Sequence, residues 1–335
     1  MRVLHHIATS AITKWVFLAI ALAGLVYAIA KNWTELLSAL HQLNWGIAIG
    51  SVVLAIAYVF FTLWSWKIVL EDLGSKLTWK AATQLFGVSQ IGKYIPGGVW
   101  NIVAAARIGK DHHIPVRRSV TAMTVSVLIS LLTGAGIGVL TVLGTSVDIH
   151  VPIWLIVLML VALVVLLTPQ VLNRLIRLAF RLMKRPAPET EMSLRGLGMA
   201  TVMSVISWVI AGLQIWILAI GFGMRLNLSG VLMSIGSYAL AWVAGFVVVF
   251  VPAGTGVRET VLGLFFSSML GSGAVLAIVL LSRVAMTIAD VVFASAGIAM
   301  TRHPGIQSNH SGAIRDGVSV APTSNEDSAT EGSSR

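Results

Sequence analysis

The sequence predicts an all-α fold, a polytopic helical membrane protein with about six full spans plus two re-entrant helical hairpins in an inverted-topology repeat. Three observations predict it. The 335-residue chain has a mean hydropathy of +0.89 with only 11% charged residues, roughly half the charge of a soluble domain. Apolar stretches of roughly 20 residues recur, the length a helix needs to cross a bilayer, so a lone signal peptide does not explain them. Two further apolar regions, 81–106 and 230–270, are broken at their middles by Pro and Gly.

Taken in order, full spans are expected near 15–30, 46–66, 119–144, 151–168, 198–220 and 274–299. Trp15, Trp33, Trp45, Trp64, Trp66 and Trp79 fall near their ends, where amphipathic rings favour the membrane interface. The first interrupted region reads QIGKYIPGGVWNIVAAARIG and breaks at Pro96-Gly97-Gly98; the second breaks at Pro252-Ala253-Gly254-Thr255-Gly256. Charge decides how these two run. If each enters and returns to the same face, eighteen of the 23 Lys and Arg share one side. Lys31 and Arg225 take the other, and Lys93, Arg258 and Arg283 lie at membrane depth. A full crossing at 81–106 would set Arg107, Lys110, Arg117 and Arg118 opposite Lys67, Lys76 and Lys80 and weaken that asymmetry. The re-entrant topology therefore follows, with the basic side cytoplasmic and both termini on it. The transmembrane domain then covers 1–302, with halves of opposite orientation at about 10–145 and 150–300. The motifs Tyr94-Ile95-Pro96-x-Gly98 and Phe250-Val251-Pro252-x-Gly254 fall at corresponding points of the two halves. Residues 174–185, RLIRLAFRLMKR, gather Arg and Lys on one helical face and read as an interfacial helix. Residues 303–335 are too polar to form a core and read as a disordered cytoplasmic tail.

Several function classes drop out. Without cysteine there is no disulfide, thiolate metal site or thiol nucleophile. The net charge of +10 is accounted for by topology and by attraction to anionic head groups, so no nucleic-acid partner is expected. Gly87 to Tyr94 nearly spells a phosphate-binding loop, but Tyr94 stands where the Mg²⁺-binding Ser or Thr is required. The pairs His5-His6 and His112-His113 have no accompanying carboxylate cluster, so no metal site is expected. Gly134-x-x-x-Gly138 reads as a close helix contact. No cofactor and no catalytic residue is identified.

The interruptions carry the chemistry. Pro removes a backbone donor and Gly loosens the helix, and the peptide groups so freed cost several kcal/mol each in hydrocarbon unless satisfied. A broken helix at that depth must therefore be buried in protein or line a wet cavity. Its half-helix start offers free N–H groups to an anion. Half-helices are expected at Val99–Ala106 and Val257–Phe266. Gly97, Gly98, Gly254 and Gly256 open them; Lys93, Arg258, Glu259, Arg283 and Asp290 supply charge. Arg283 and Asp290, seven residues apart, share a helix face. Charges at such depth cost roughly 2.5–3.5 kcal/mol each on the insertion scale, which points to function. The plainer reading is structural ion pairing, Arg258 with Asp290 or Arg283 with Glu259. Lys93 either snorkels to the interface or contacts a head-group phosphate.

GKYIPGGVW followed by Arg107, PAGTGVRE, and an Arg inside the last span together resemble the lysylphosphatidylglycerol synthase transmembrane region family. The resemblance covers about residues 10–300, with Ala253 where that family more often has glycine. It implies a flippase-like protein of the bacterial inner membrane that moves a phosphate-bearing lipid: an aminoacyl-phospholipid, a glycolipid or a prenyl-phosphate-linked lipid. No transferase domain follows residue 300, so lipid aminoacylation, and enzyme activity generally, is not expected. The implied partners are membrane lipids with anionic head groups, with a second copy or a lipid-synthesis enzyme as protein partner. Two alternatives remain open: an accessory subunit of a lipid synthase or glycosyltransferase, and a membrane-embedded transferase using Glu259 and Asp290 as acid and base.

Overall fold

The computed structural model describes residues 30, 33–94, 100–144, 152–182, 184, 190–248, 256–267 and 269–301, and among these it is helical with no strand. Residues 15–29 of the first expected span, Pro96-Gly97-Gly98, Pro252 to Thr255 and the 303–335 tail lie outside the described residues. Two short helices and a long one open the described chain: α1 (Trp33–Gln42), α2 (Trp45–Asp72) and α3 (Trp79–Gln90), the last running into a 3-10 turn at Ile91–Tyr94. Then follow α4 (Trp100–Asp111), α5 (Val116–Gly144), α6 (Ile153–Leu166) and α7 (Pro169–Leu182). The remainder is α8 (Leu194–Gly221), α9 (Leu228–Val247), α10 (Val257–Phe266) and α11 (Ser272–Thr301).

Helix starts follow from short polar side chains that accept from otherwise unmatched N–H groups. Gly46 N donates to Asn44 at 2.7 Å, Gly196 N to Ser193 at 3.0 Å and Gly230 N to Asn227 at 2.7 Å. Among the described residues five helices are long and apolar enough to cross a bilayer, namely α2, α5, α8, α9 and α11. Four of them fall on expected spans.

Three expectations are corrected. The stretch 151–168 is not one straight span. Helix α6 has 14 residues, about 21 Å, against a hydrocarbon core of about 30 Å. The chain bends by 71° into α7, whose first residue, Pro169, lacks the N–H needed to continue the ladder. The basic stretch thus lies on α7, where Leu172 and Phe180 are buried and Arg174, Arg177 and Arg181 are exposed. Trp66 is not interfacial: it is fully buried against Phe86, 5.5 Å between ring centroids. Finally, the two interrupted regions differ. Helices α3 and α4 have 12 residues each, about 18 Å, too short to cross alone. Helix α9 has 20 and is long enough, while α10 has ten.

Both excursions nevertheless return to the end they left. Arg118, at the start of α5, donates to Gly74 O just beyond α2 at 3.1 Å, so α3 and α4 go out and come back. Ser193, before α8, donates to Asp72 through N and Oγ, both at 2.7 Å, which puts the start of α8 at the same end. At the other end Phe222, which follows α8, packs in one cluster with Leu276 and Ala277 near the start of α11.

The two halves, α2–α5 and α8–α11, pack reciprocally. Helix α2 lies antiparallel along α8, with Ser65 donating to Ala200 O at 2.8 Å and Gln214 to Ser51 at 3.1 Å. Helix α3 of the first half packs against α11 of the second, and α9 of the second against α5 of the first. Both of these contacts are also antiparallel and close. A Cβ on Gly87 would stand 2.4 Å from Phe293 O, and one on Gly138 would stand 2.4 Å from Leu240 Cγ. Gly134 meets Trp208, so the small-residue pair on α5 does serve packing. Replacing Gly87 by Ala should lower stability by about 1–3 kcal/mol in detergent melts, because backbone is the obstacle. Gly198→Ala, inside α8 with nothing within 4 Å, should be neutral or stabilising by up to about 1 kcal/mol in the same measurement.

Candidate functional site

Between the halves lies a cavity of about 540 Å³. Its walls come from α2, α3, the 3-10 turn, α4 and α5 on one side and from α9, α10 and α11 on the other. Tyr58, Ser130 and Met286 line it from near the midpoints of the long helices α2, α5 and α11. The cavity is thus about as far from either end as the bundle allows, and both interrupted segments reach it.

Three of the charged wall residues, Lys93, Arg258 and Glu259, flank a break, and Arg283 and Asp290 project from the unbroken α11. Gly256 adopts φ 87°, a left-handed conformation that glycine takes without a Cβ clash, and turns the chain into α10. Its N–H donates to Glu259 Oε2 at 2.5 Å, so Glu259 caps the helix it belongs to. The other Glu259 oxygen pairs with Arg283 Nε of α11. Seven residues on, Asp290 is 2% exposed and accepts from Lys93 Nζ at 2.7 Å and from the Tyr94 hydroxyl at 2.5 Å. The 3-10 turn delivers both of those donors from the first half. Arg258 is held differently. Its guanidinium lies 5.6 Å from the Trp242 ring centroid, in cation–π range. Its Nε is shut off from the surface without a hydrogen-bond partner, and among the described residues Arg258 makes no ion pair. Trp242 is in turn backed by buried Trp208, 5.3 Å away edge-on, whose Nε1 donates to Thr133 at 3.1 Å.

The structure therefore gathers Lys93, Arg258, Glu259, Arg283 and Asp290 around one cavity. Gly256 opens α10; Gly97, Gly98 and Gly254 lie outside the described residues. Helix α10 spans the expected Val257–Phe266, whereas α4 runs past the expected Ala106 to Asp111. Of the ion pairs read from the sequence, Arg283–Glu259 forms. Arg258–Asp290 does not, because Lys93 and Tyr94 occupy Asp290. Lys93 accordingly reaches α11 instead of the interface. One donor expected to be open to an anion, Gly256 N–H, is already taken by Glu259.

Sequence reasoning missed the aromatic wall. Tyr58, Tyr94 and Tyr238 line the cavity, three of only four tyrosines in the chain. The available signal was position: Tyr58 and Tyr238 fall mid-helix, away from the interface where tyrosine is ordinarily enriched. Neutral polar side chains complete the lining, among them Thr62, Gln90, Asn101, Ser126 and Ser130. Among the described residues no group of three His, Asp or Glu is placed to hold a metal ion.

The family model for the lysylphosphatidylglycerol synthase TM region matches residues 15–294. The chain belongs to this family. The matched stretch contains both breaks and every charged residue of the cavity, so the site lies wholly within the lysylphosphatidylglycerol synthase TM region. Membership associates the chain with lipid synthesis or transport in a membrane. No curated protein matches the chain.

Removing either partner of the Lys93–Asp290 pair should lower stability by about 1–3 kcal/mol, because the remaining charge loses its partner in a partly dry site. The double variant Lys93→Ala/Asp290→Ala should cost less than the sum, with a coupling of about 1 kcal/mol. Thermal melts of the four proteins in one detergent measure this, and additive costs would mean that the pair contributes nothing.

Proposed function

We propose that the chain is a lipid transporter that moves a phosphate-bearing lipid across the bacterial inner membrane. The lipid's head group passes through the central cavity while its tails remain in the bilayer. One observation carries this reading: a cavity lined by five charged side chains, set midway along the long helices and walled by both interrupted segments of two reciprocally packed halves. Transporter sites built from discontinuous helices at a repeat interface have this arrangement. Arg258 supports a phosphate ligand, since its planar fork binds two oxygens at once and its Nε lacks a partner in the wall. On this reading the basic end, where α2 ends and α5 and α8 begin, faces the cytoplasm.

An enzymatic role fits less well. Glu259 and Asp290 are each held by a cation and a further donor, which leaves neither as a ready acid or base. The exposed Arg174, Arg177 and Arg181 of α7 support an interfacial contact with anionic lipid, and an accessory role would use that same face.

The test is leaflet exchange of tail-labelled lipids in liposomes containing the full chain. Exchange well above that of protein-free liposomes is expected for at least one phosphate-bearing lipid, and Arg258→Ala should slow it about tenfold or more. Rates no faster than those of protein-free liposomes for every lipid would sink the transport reading.

A further inference from the structure

We infer that the cavity selects a lipid whose head group carries a single phosphodiester charge and an otherwise uncharged, hydroxyl-bearing remainder, and that it disfavours head groups bearing an ammonium. This rests on the reading of the cavity as a lipid head-group site. The argument is one of charge matching. Among the described residues the lining holds three cations, Lys93, Arg258 and Arg283, and two carboxylates, Glu259 and Asp290. The breaks at 95–99 and 249–255 contain no charged residue in the sequence, so they leave that balance unchanged. Lys93 is matched by Asp290, and Arg283 faces Glu259. One positive charge is left over, and it is on Arg258. An unmatched charge in a site of low polarity is costly, so the ligand that fits best brings one negative charge. A phosphodiester brings one and presents it as two oxygens to a guanidinium fork.

The rest of the wall decides the rest of the head group. An incoming ammonium would need a carboxylate. Asp290 already accepts from Lys93 and Tyr94, and Glu259 is ion-paired with Arg283 and accepts from Gly256 N–H. The ammonium would have to displace one of these or stand beside Arg258 uncompensated. Hydroxyl groups face no such penalty. Thr62, Gln90 and Asn101 offer neutral donors and acceptors. A polyol or sugar phosphodiester therefore suits the site, while a zwitterionic or aminoacylated phospholipid mismatches it by one charge or more.

The experiment is lipid binding to the full-length protein in detergent, followed by native mass spectrometry. The probes are phosphatidylglycerol, phosphatidylethanolamine, lysyl-phosphatidylglycerol and an uncharged glucosyl diacylglycerol. The wild type is expected to bind phosphatidylglycerol about tenfold or more tightly than the other three. Arg258→Gln should erase that preference, and Arg258→Glu should reverse the order of phosphatidylglycerol and lysyl-phosphatidylglycerol. Equal or tighter wild-type binding of lysyl-phosphatidylglycerol would overturn the inference, as would an unchanged order in a folded Arg258→Glu protein. If that variant fails to fold, the wild-type ranking still decides. Binding of none of the four would overturn both this inference and the head-group reading. The expected ranking without leaflet exchange would uphold the inference while sinking transport.

Discussion

A charge placed at membrane depth has to be matched from another element, and the centre of this protein is organised around that requirement. Asp290 sits almost wholly buried in α11 and is matched from the first half by Lys93 and Tyr94. Arg283, two turns earlier on the same helix, is matched by Glu259 of α10. Helix α11 is thus the post to which both interrupted segments are tied. The tie from the first half depends on how closely α3 approaches α11, and that approach depends on Gly87 lying against the Phe293 carbonyl and Gly297 against Gln84. A side chain at either glycine would lift α3 away and lengthen the reach of Lys93. Packing of two small residues therefore sets the geometry of an ion pair one to two turns further along.

Much of this was legible in the sequence because membranes impose coarse rules. Hydropathy located α2, α5, α8 and α11, since a crossing helix must be both long and apolar. Pro and Gly pointed to interruptions, and the charged residues beside them, Lys93, Arg258 and Glu259, line one cavity. The Arg283–Glu259 pair followed from the cost of isolated charge. What did not follow was pairing across the halves. Lys93 and Asp290 are 197 positions apart, and nothing local in the chain says that the 3-10 turn meets α11. The bend at Pro169 was missed because the apolar run continues almost to it, and composition does not reveal direction. Trp66 was misplaced for a related reason: nearness to a span end says nothing about which side of the helix faces Phe86.

The wall around Arg258 shows a second kind of support, made of rings instead of charges. Trp208 contacts Tyr58 and Tyr238 at 6.3 Å each and Trp242 at 5.3 Å, joining α2, α8 and α9 behind the cavity. Rings are bulky and have few rotamers, so such a cluster holds its shape without much entropic cost. Trp208 also donates to Ser130 O and Thr133 on α5, which ties the cluster to the first half. The cation is therefore presented by a face that is stiff but carries no counter-charge, and Arg258 is left electrically open.

The antiparallel seam of α2 on α8 sits where the halves exchange places. If the first half took the posture of the second and the second that of the first, the seam would map onto itself while α3–α11 and α9–α5 traded roles. On the transport reading, two such postures would be separated by repacking and not by unfolding. The match is imperfect, since α9 has 20 residues where α3 has 12. On that reading the inequality would make the two postures unequal in energy, and a bound ligand would have to outweigh only the difference between them.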